Sequence, residues 1–178
     1  MRGRLLSVVS CLIFTTTAGL ASAEAANLAQ QRQYYDEAKR ALAKGDSGPY
    51  RQYASALRDY PLTPYLAYDE LTNRLKSASN AEIEKFLAEH GDLPQVNWMK
   101  LRWLRWLAER GDWKPFLDHY DPALNFTELD CLYGQYQMSH GLTAEGNATA
   151  EKLWLVGKSQ HNACDPLFER WAANGQLT

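Results

Sequence analysis

Three times along this chain an apolar run of helical period stops at the dipeptide Gly-Asp, in Ala43-Lys44-Gly45-Asp46, Glu89-His90-Gly91-Asp92 and Glu109-Arg110-Gly111-Asp112. Glycine after the last helical turn ends a helix without steric cost, and a polar residue behind it can start the next one. The stops lie 46 and 20 residues apart, so the pattern resembles the turns of tetratricopeptide-type arrays without sharing a fixed period. Such punctuation predicts short antiparallel helix pairs that bury their faces against the next pair.

The runs between the stops support this reading. From Asn27 to Lys44, Leu28, Tyr34, Tyr35, Ala38, Ala41 and Leu42 recur at three- and four-residue steps. Ser47 is a candidate N-cap for a helix carrying Tyr50, Tyr53, Ala54 and Leu57. Pro61 and Pro64 break the chain and allow a restart through Tyr65, Leu66, Tyr68, Leu71 and Leu75. Ser79 or Asn80 caps a helix with Ile83, Phe86 and Leu87. Gln95–Arg110 is the strongest amphipathic stretch, with Trp98, Leu101, Leu104, Trp103, Trp106 and Leu107 giving an apolar surface wider than one stripe. A short helix is expected over Trp113–Tyr120, another from Phe126 or Thr127 to Ser139, one capped by Thr143 and ending at Gly157, and a last one from Asp165-Pro166 through Trp171. No stretch alternates with period two long enough to demand a strand. The expected fold is all-α, an irregular right-handed superhelix of antiparallel helix pairs.

The first residues have a different logic. Arg2 and Arg4 precede an apolar run from Leu5 to Phe14, and small residues follow at Ala18–Ala23, the layout of a secretory signal peptide cleaved near Ala23. The run is shorter than the roughly 20 residues of a membrane span. Cys11 loosely suits a lipoprotein site, but too little apolar sequence precedes it. Residues 24–178 are then expected to form one α-superhelical domain. Loss of residues 1–23 takes away two arginines and no acids, shifting the formal charge from −2 to −4, which argues against nucleic acid as a partner. Of three cysteines, Cys131 and Cys164 remain after cleavage, and an even pair in an exported chain is expected to form a structural disulfide. The last residues, Asn174–Thr178, read as the turn after a helix more than as a cap, so the expectation is either a fragment of a longer parent or a degenerate stand-alone copy.

Residues able to do chemistry are scattered. His90, His119, His140 and His161 have no second ligand at helical spacing, so no metal site is expected. The neighbouring carboxylates Asp69-Glu70 and Glu82 with Glu84 fall on helix surfaces, where solvation or ion pairing is the ordinary fate. No Gly-x-Ser-x-Gly elbow or phosphate-binding glycine loop occurs. Two features suggest binding. Lys100, Arg102, Arg105 and Arg110, interleaved with Trp98, Trp103 and Trp106, would suit a groove in which rings meet sugars and cations meet carboxylates; the plainer reading makes the tryptophans core and the arginines a solvated face. The segment Tyr60–Tyr68 would suit a peptide or glycan shelf, or, more simply, a corner packed with tyrosine rings.

At Asp59-Tyr60-Pro61-Leu62-Thr63-Pro64-Tyr65-Leu66-Ala67-Tyr68, Glu109-Arg110-Gly111-Asp112-Trp113, Cys131-Leu132-Tyr133 and Leu153–Phe168, with its Gly157-Lys158-Ser159-Gln160 and Asn162-Ala163-Cys164-Asp165, the chain resembles the N-terminal part of soluble lytic murein transglycosylases. The resemblance implies an α-superhelical domain that helps form a ring, a disulfide joining Cys131 to Cys164, and peptidoglycan glycan strands as partner in the periplasm. It also implies a separate C-terminal lysozyme-like domain, which cleaves between N-acetylmuramic acid and N-acetylglucosamine to a 1,6-anhydro product with one glutamic acid and no cofactor or metal. That family's Glu-Ser, Gly-Leu-Met-Gln and Ala-Tyr-Asn-Ala-Gly strings are missing from residues 1–178, so no catalytic residue carries over. The expectation is a non-catalytic scaffold segment; the alternative is a stand-alone helical-repeat adaptor for a periplasmic protein.

Overall fold

The computed structural model describes residues 17–175, with side chains from Glu24 onward. Most of segment 1–23, read above as a signal peptide, therefore lies outside the described residues. Among the described residues there is no strand, and no helix is long and apolar enough to cross a membrane. The chain divides into two compact units, residues 1–73 and 74–178.

The first unit packs α1 (Thr17–Leu42), α2 (Gly48–Tyr53) and α3 (Thr63–Asn73). Helix α1 begins ten residues before the expected Asn27, because Thr17–Ala26 is rich in alanine, the strongest helix former. Tyr35, Ala38 and Leu42 from α1 meet Leu57, Tyr60 and Leu66, with Tyr34, Tyr50 and Tyr53 at the margin. Tyr34 stacks on Tyr53 at 4.2 Å and Tyr35 tilts onto Tyr60 at 5.4 Å. The Tyr60–Tyr68 segment is thus a corner whose first ring is core. The turn into α2 differs from expectation: Ser47 makes no side-chain cap, and Asp46 Oδ1 instead accepts from the Gly48 N–H at 2.8 Å. Ser47 sits at ψ 5, outside the extended region an N-cap hydroxyl needs.

The second unit holds α4 (Asn80–His90), α5 (Val96–Glu109), α6 (Trp113–His119), α7 (Thr127–Ser139), α8 (Thr143–Trp154) and α9 (Asp165–Ala173), with 3-10 turns at Pro122–Leu124 and Asn162–Cys164. Ser79 caps α4 as expected, its side chain accepting from Glu82 N at 3.2 Å. Thr143 lies inside α8, and the cap position falls to Leu142. The Gly-Asp stops are not equivalent. Gly45 and Gly111 take φ of 79° and 71°, which only glycine adopts freely, whereas Gly91 stays right-handed at φ −65°.

Helices α7, α8 and α9 interlock through small residues. A Cβ on Gly134 would lie 2.8 Å from Leu167 Cδ2 and 3.1 Å from Thr149 Cγ2, and one on Gly146 would lie 3.3 Å from the Gly134 carbonyl oxygen. The absent side chains let the backbones approach, and Cys131, Ala150, Leu153, Cys164, Leu167, Phe168 and Trp171 fill the space beside them. The sulfurs of Cys131 and Cys164 are bonded, with Cα atoms 4.9 Å apart. This bridge ties α7 to the 3-10 turn that feeds α9.

Candidate functional site

One turn of an α-helix advances 3.6 residues, so successive side chains rotate by about 100°. On α5 this separates two arcs. Val96, Met99, Leu101, Trp103, Leu104, Leu107 and Ala108 are buried; Trp98, Arg102, Arg105, Trp106 and Glu109 cluster on the opposite arc. The three tryptophans consequently have three fates. Trp103 is fully buried, while Trp98 is 59% exposed with its ring against Phe126 at 5.3 Å. Trp106 is half-buried.

Around Trp106 lies a cleft of about 230 Å³ lined by Leu75, Lys76, Arg102, Arg105, Trp106 and Glu109. The Lys76 ammonium and the Arg110 guanidinium each sit 5.1 Å from the Trp106 ring centroid, where the negative face of an indole attracts cations. Arg110 also donates to Asp112 at 2.7 Å. Arg105 is fixed by a two-pronged pair with Glu128 on α7, its Nη2 donating to Oε2 at 2.6 Å and its Nε to Oε1. The hydrogen bonds that Arg105 donates to Glu128 chiefly, and the charge of that carboxylate, raise the Arg105 pKa against the opposing effect of burial. Glu128 is itself buried, and His161 Nε2 stands 3.7 Å from its Oε2. Lys76 and Arg102 have no ion pair among the described residues, and Glu109 is the acid that shares the cleft with them.

The structure thus gathers three members of the predicted basic-aromatic set, Arg102, Arg105 and Trp106, with Arg110 reaching the ring from beyond the helix end. It removes Trp103 to the core and places Lys100, half-buried, on the other side of α5. Lys76 was missed. It precedes α4, and nothing local in Leu75-Lys76-Ser77 signals that its ammonium will meet a ring 30 positions later.

The other candidates have structural employment. Glu82 pairs with Arg74, whose hydrogen bond holds its carboxyl below the usual range. Glu84 faces His119 at 3.3 Å, Glu70 is buried, and burial pushes Asp69 upward against the pull of Lys39. His90 packs on Phe86, His119 on Trp103 and His140 on Tyr136. No group of three His, Cys, Asp or Glu able to hold a metal occurs among the described residues.

The Arg105–Glu128 pair makes a testable demand. Removing the guanidinium leaves a buried carboxylate, which costs 3–5 kcal/mol in fully buried pairs, and about 2 kcal/mol is expected here because Arg105 is partly exposed. Arg105→Ala combined with Glu128→Leu is expected to cost less than Arg105→Ala alone, since no buried charge remains. Urea denaturation of the two single variants and the double variant decides it; additive losses would show that the pair is uncoupled.

No family model matches the chain. Over 173 residues, 97% of its length, it is 34% identical to a soluble lytic murein transglycosylase of Escherichia coli, and the matched span is 26% of that relative. The X-ray structure of an inactive mutant of the lytic transglycosylase Slt from Pseudomonas aeruginosa superposes with a TM-score of 0.79 at 72% identity, covering 82% of this chain and 24% of that one. The crystal structure of the 70-kDa soluble lytic transglycosylase from Escherichia coli gives a TM-score of 0.71 at 33% identity, covering 85% and 24% of the two chains. The chain spans about a quarter of the length of the curated relatives it matches. By sequence and by fold, the chain is similar to a partial stretch, about a quarter, of the soluble lytic murein transglycosylases, within their helical superhelix.

Proposed function

We propose that the chain is a non-catalytic superhelical segment of a periplasmic lytic murein transglycosylase-like protein, acting in peptidoglycan turnover by contact with the glycan. The observation that carries this reading is the combination of a match confined to a quarter of the relatives' length with paired carboxylates that face ion-pair partners or the interior of a helix packing. General acid catalysis on a glycosidic bond needs a positioned carboxylic acid in a substrate cleft, and the family's catalytic strings do not occur in these residues. An exported location is supported by the layout of Met1–Ala23 and by the bonded Cys131 and Cys164. Cleavage of the strand would belong to a separate domain.

The purified mature chain is expected to sediment with murein sacculi, above the level of an unrelated periplasmic protein, and to release no anhydro-muropeptide from them. Absence of enrichment in the pellet would defeat the glycan-contact role, and release of anhydro products would defeat the non-catalytic one. A second reading, a helical-repeat adaptor for a periplasmic protein, draws support from the exposed run Trp154-Leu155-Val156, of which Leu155 is 71% exposed. That reading requires retrieval of one defined protein partner that Leu155→Asp abolishes, with sacculi ignored.

A further inference from the structure

Between α8 and α9 the chain is anchored at two points and free between them. The Leu155 N–H donates to the Glu151 carbonyl at 3.1 Å, and His161 Nδ1 accepts from the Ala163 N–H at 3.1 Å. Among the described residues, the N–H groups of Lys158, Ser159 and Gln160 donate to no backbone oxygen, and residues 154–159 are all exposed. Gly157 has φ 68°, and glycine passes from that region to an extended conformation without steric cost. The other basic residues that lie outside helices are held differently. The peptide bonds after Lys44, Arg58 and Arg110 fall inside turns closed by Gly45 N–H to Leu42 O at 2.9 Å, Tyr60 N–H to Leu57 O at 3.0 Å and Gly111 N–H to Ala108 O at 3.0 Å. Those after Arg74 and Lys76 fall in the turn where the Ser77 and Ala78 N–H groups both donate to the Arg74 carbonyl.

We propose that the Lys158–Ser159 bond is a processing site for a serine protease with an acidic primary pocket, and that the Cys131–Cys164 bridge keeps the cut chain in one piece. Nicking concentrates at exposed connections, because a protease must draw its substrate out straight and here no backbone bond has to break first. An acidic pocket receives the Lys158 ammonium. Water is the co-reactant: the amide C–N bond breaks, the Lys158 carbonyl carbon gains the hydroxyl, and the Ser159 nitrogen gains the proton and becomes a free amine. Both new ends lie in solvent. Residues 159–178 stay attached through Cys164, with Leu167, Phe168 and Trp171 in the core beside Cys131 and the Gln135 Nε2 donating to the Ala163 carbonyl at 2.5 Å. A protease that selects apolar side chains is less well served by the same connection. The Trp154 ring stands edge-on to Phe168 at 5.0 Å, and the Leu155 N–H still belongs to the last turn of α8.

The test is brief digestion of the oxidised mature chain with trypsin, read by intact mass. The first product is expected to carry one added water and to stay whole without reductant, then to divide after Lys158 when the bridge is reduced under denaturing conditions. Before reduction it is expected to keep the tryptophan emission of the uncut protein. Lys158→Gln is expected to slow the first cut about tenfold, since every remaining site must wait for local opening, with thermal unfolding unchanged because the side chain is exposed. Protein recovered from its native cells without reductant is expected to contain the same two-chain species. A first cut after Lys44, Arg58, Lys76 or Arg110, a rate indifferent to Lys158→Gln, loss of residues 159–178 or of the native emission before reduction, or uniformly uncut protein from cells overturns the proposal.

Discussion

Reduction of the Cys131–Cys164 bridge is expected to lower the unfolding free energy of the second unit by about 4 kcal/mol, the loop-closure term for the sequence separation of 33. The loop it closes contains α7 from Cys131 onward, the whole of α8 and the turn before α9, so breaking it frees in the unfolded chain the elements that the Gly134 and Gly146 contacts assemble in the folded one. Every tryptophan lies at or beyond position 98, and tryptophan fluorescence therefore reads this unit without interference from residues 1–73. Urea transitions of oxidised and reduced protein, followed by that signal, are expected to separate clearly in midpoint. Reduced wild-type protein is the better comparison than a Cys131→Ala, Cys164→Ala variant, because both sulfurs are fully buried and their removal adds a packing loss to the loop term. Coincident midpoints would mean that the bridge constrains nothing the core does not already hold.

The bridge and the helix order were legible because both rest on local or countable features. With the leader expected at Met1–Ala23 set aside, two cysteines remain and leave one pairing, and glycine and proline stops cut the chain close to the observed helix ends. Local rules also failed in identifiable ways. Ser47 has the chemistry of a cap but its backbone is not extended, and Asp46 supplies the oxygen. Gly91-Asp92 looks like the other two Gly-Asp stops, yet Gly91 is right-handed, with its missing Cβ clearing the Leu87 carbonyl. The cleft was half legible. Arg102, Arg105 and Trp106 share a face by helical arithmetic, but Lys76 joins through tertiary packing, and Glu128, which orients Arg105, sits 23 residues away. Neither connection leaves a trace in local periodicity.

The same arithmetic yields the sharpest contrast between substitutions on one helix. Trp103→Ala is expected to cost about 3–5 kcal/mol, the range for removing a large aromatic from a core, because its ring is fully buried. The ring also makes two specific contacts: its Nε1 donates to Asn80 Oδ1 at 3.1 Å, and it packs on His119 at 4.9 Å. Truncation therefore opens a cavity between α4, α5 and α6 and leaves the Asn80 oxygen without its donor. Trp98→Ala, five residues earlier and rotated by about 140° around the helix, is expected to cost less than about 1 kcal/mol, the loss of one surface contact with Phe126. Thermal and urea unfolding of the two variants, made in the same oxidised background, measure the difference. Similar losses would show that the Trp98–Phe126 contact is part of a core the exposure of Trp98 conceals; a small loss at both would mean that the second unit is held by its bridge and its α7–α8 packing, with α5 contributing a surface and little stability.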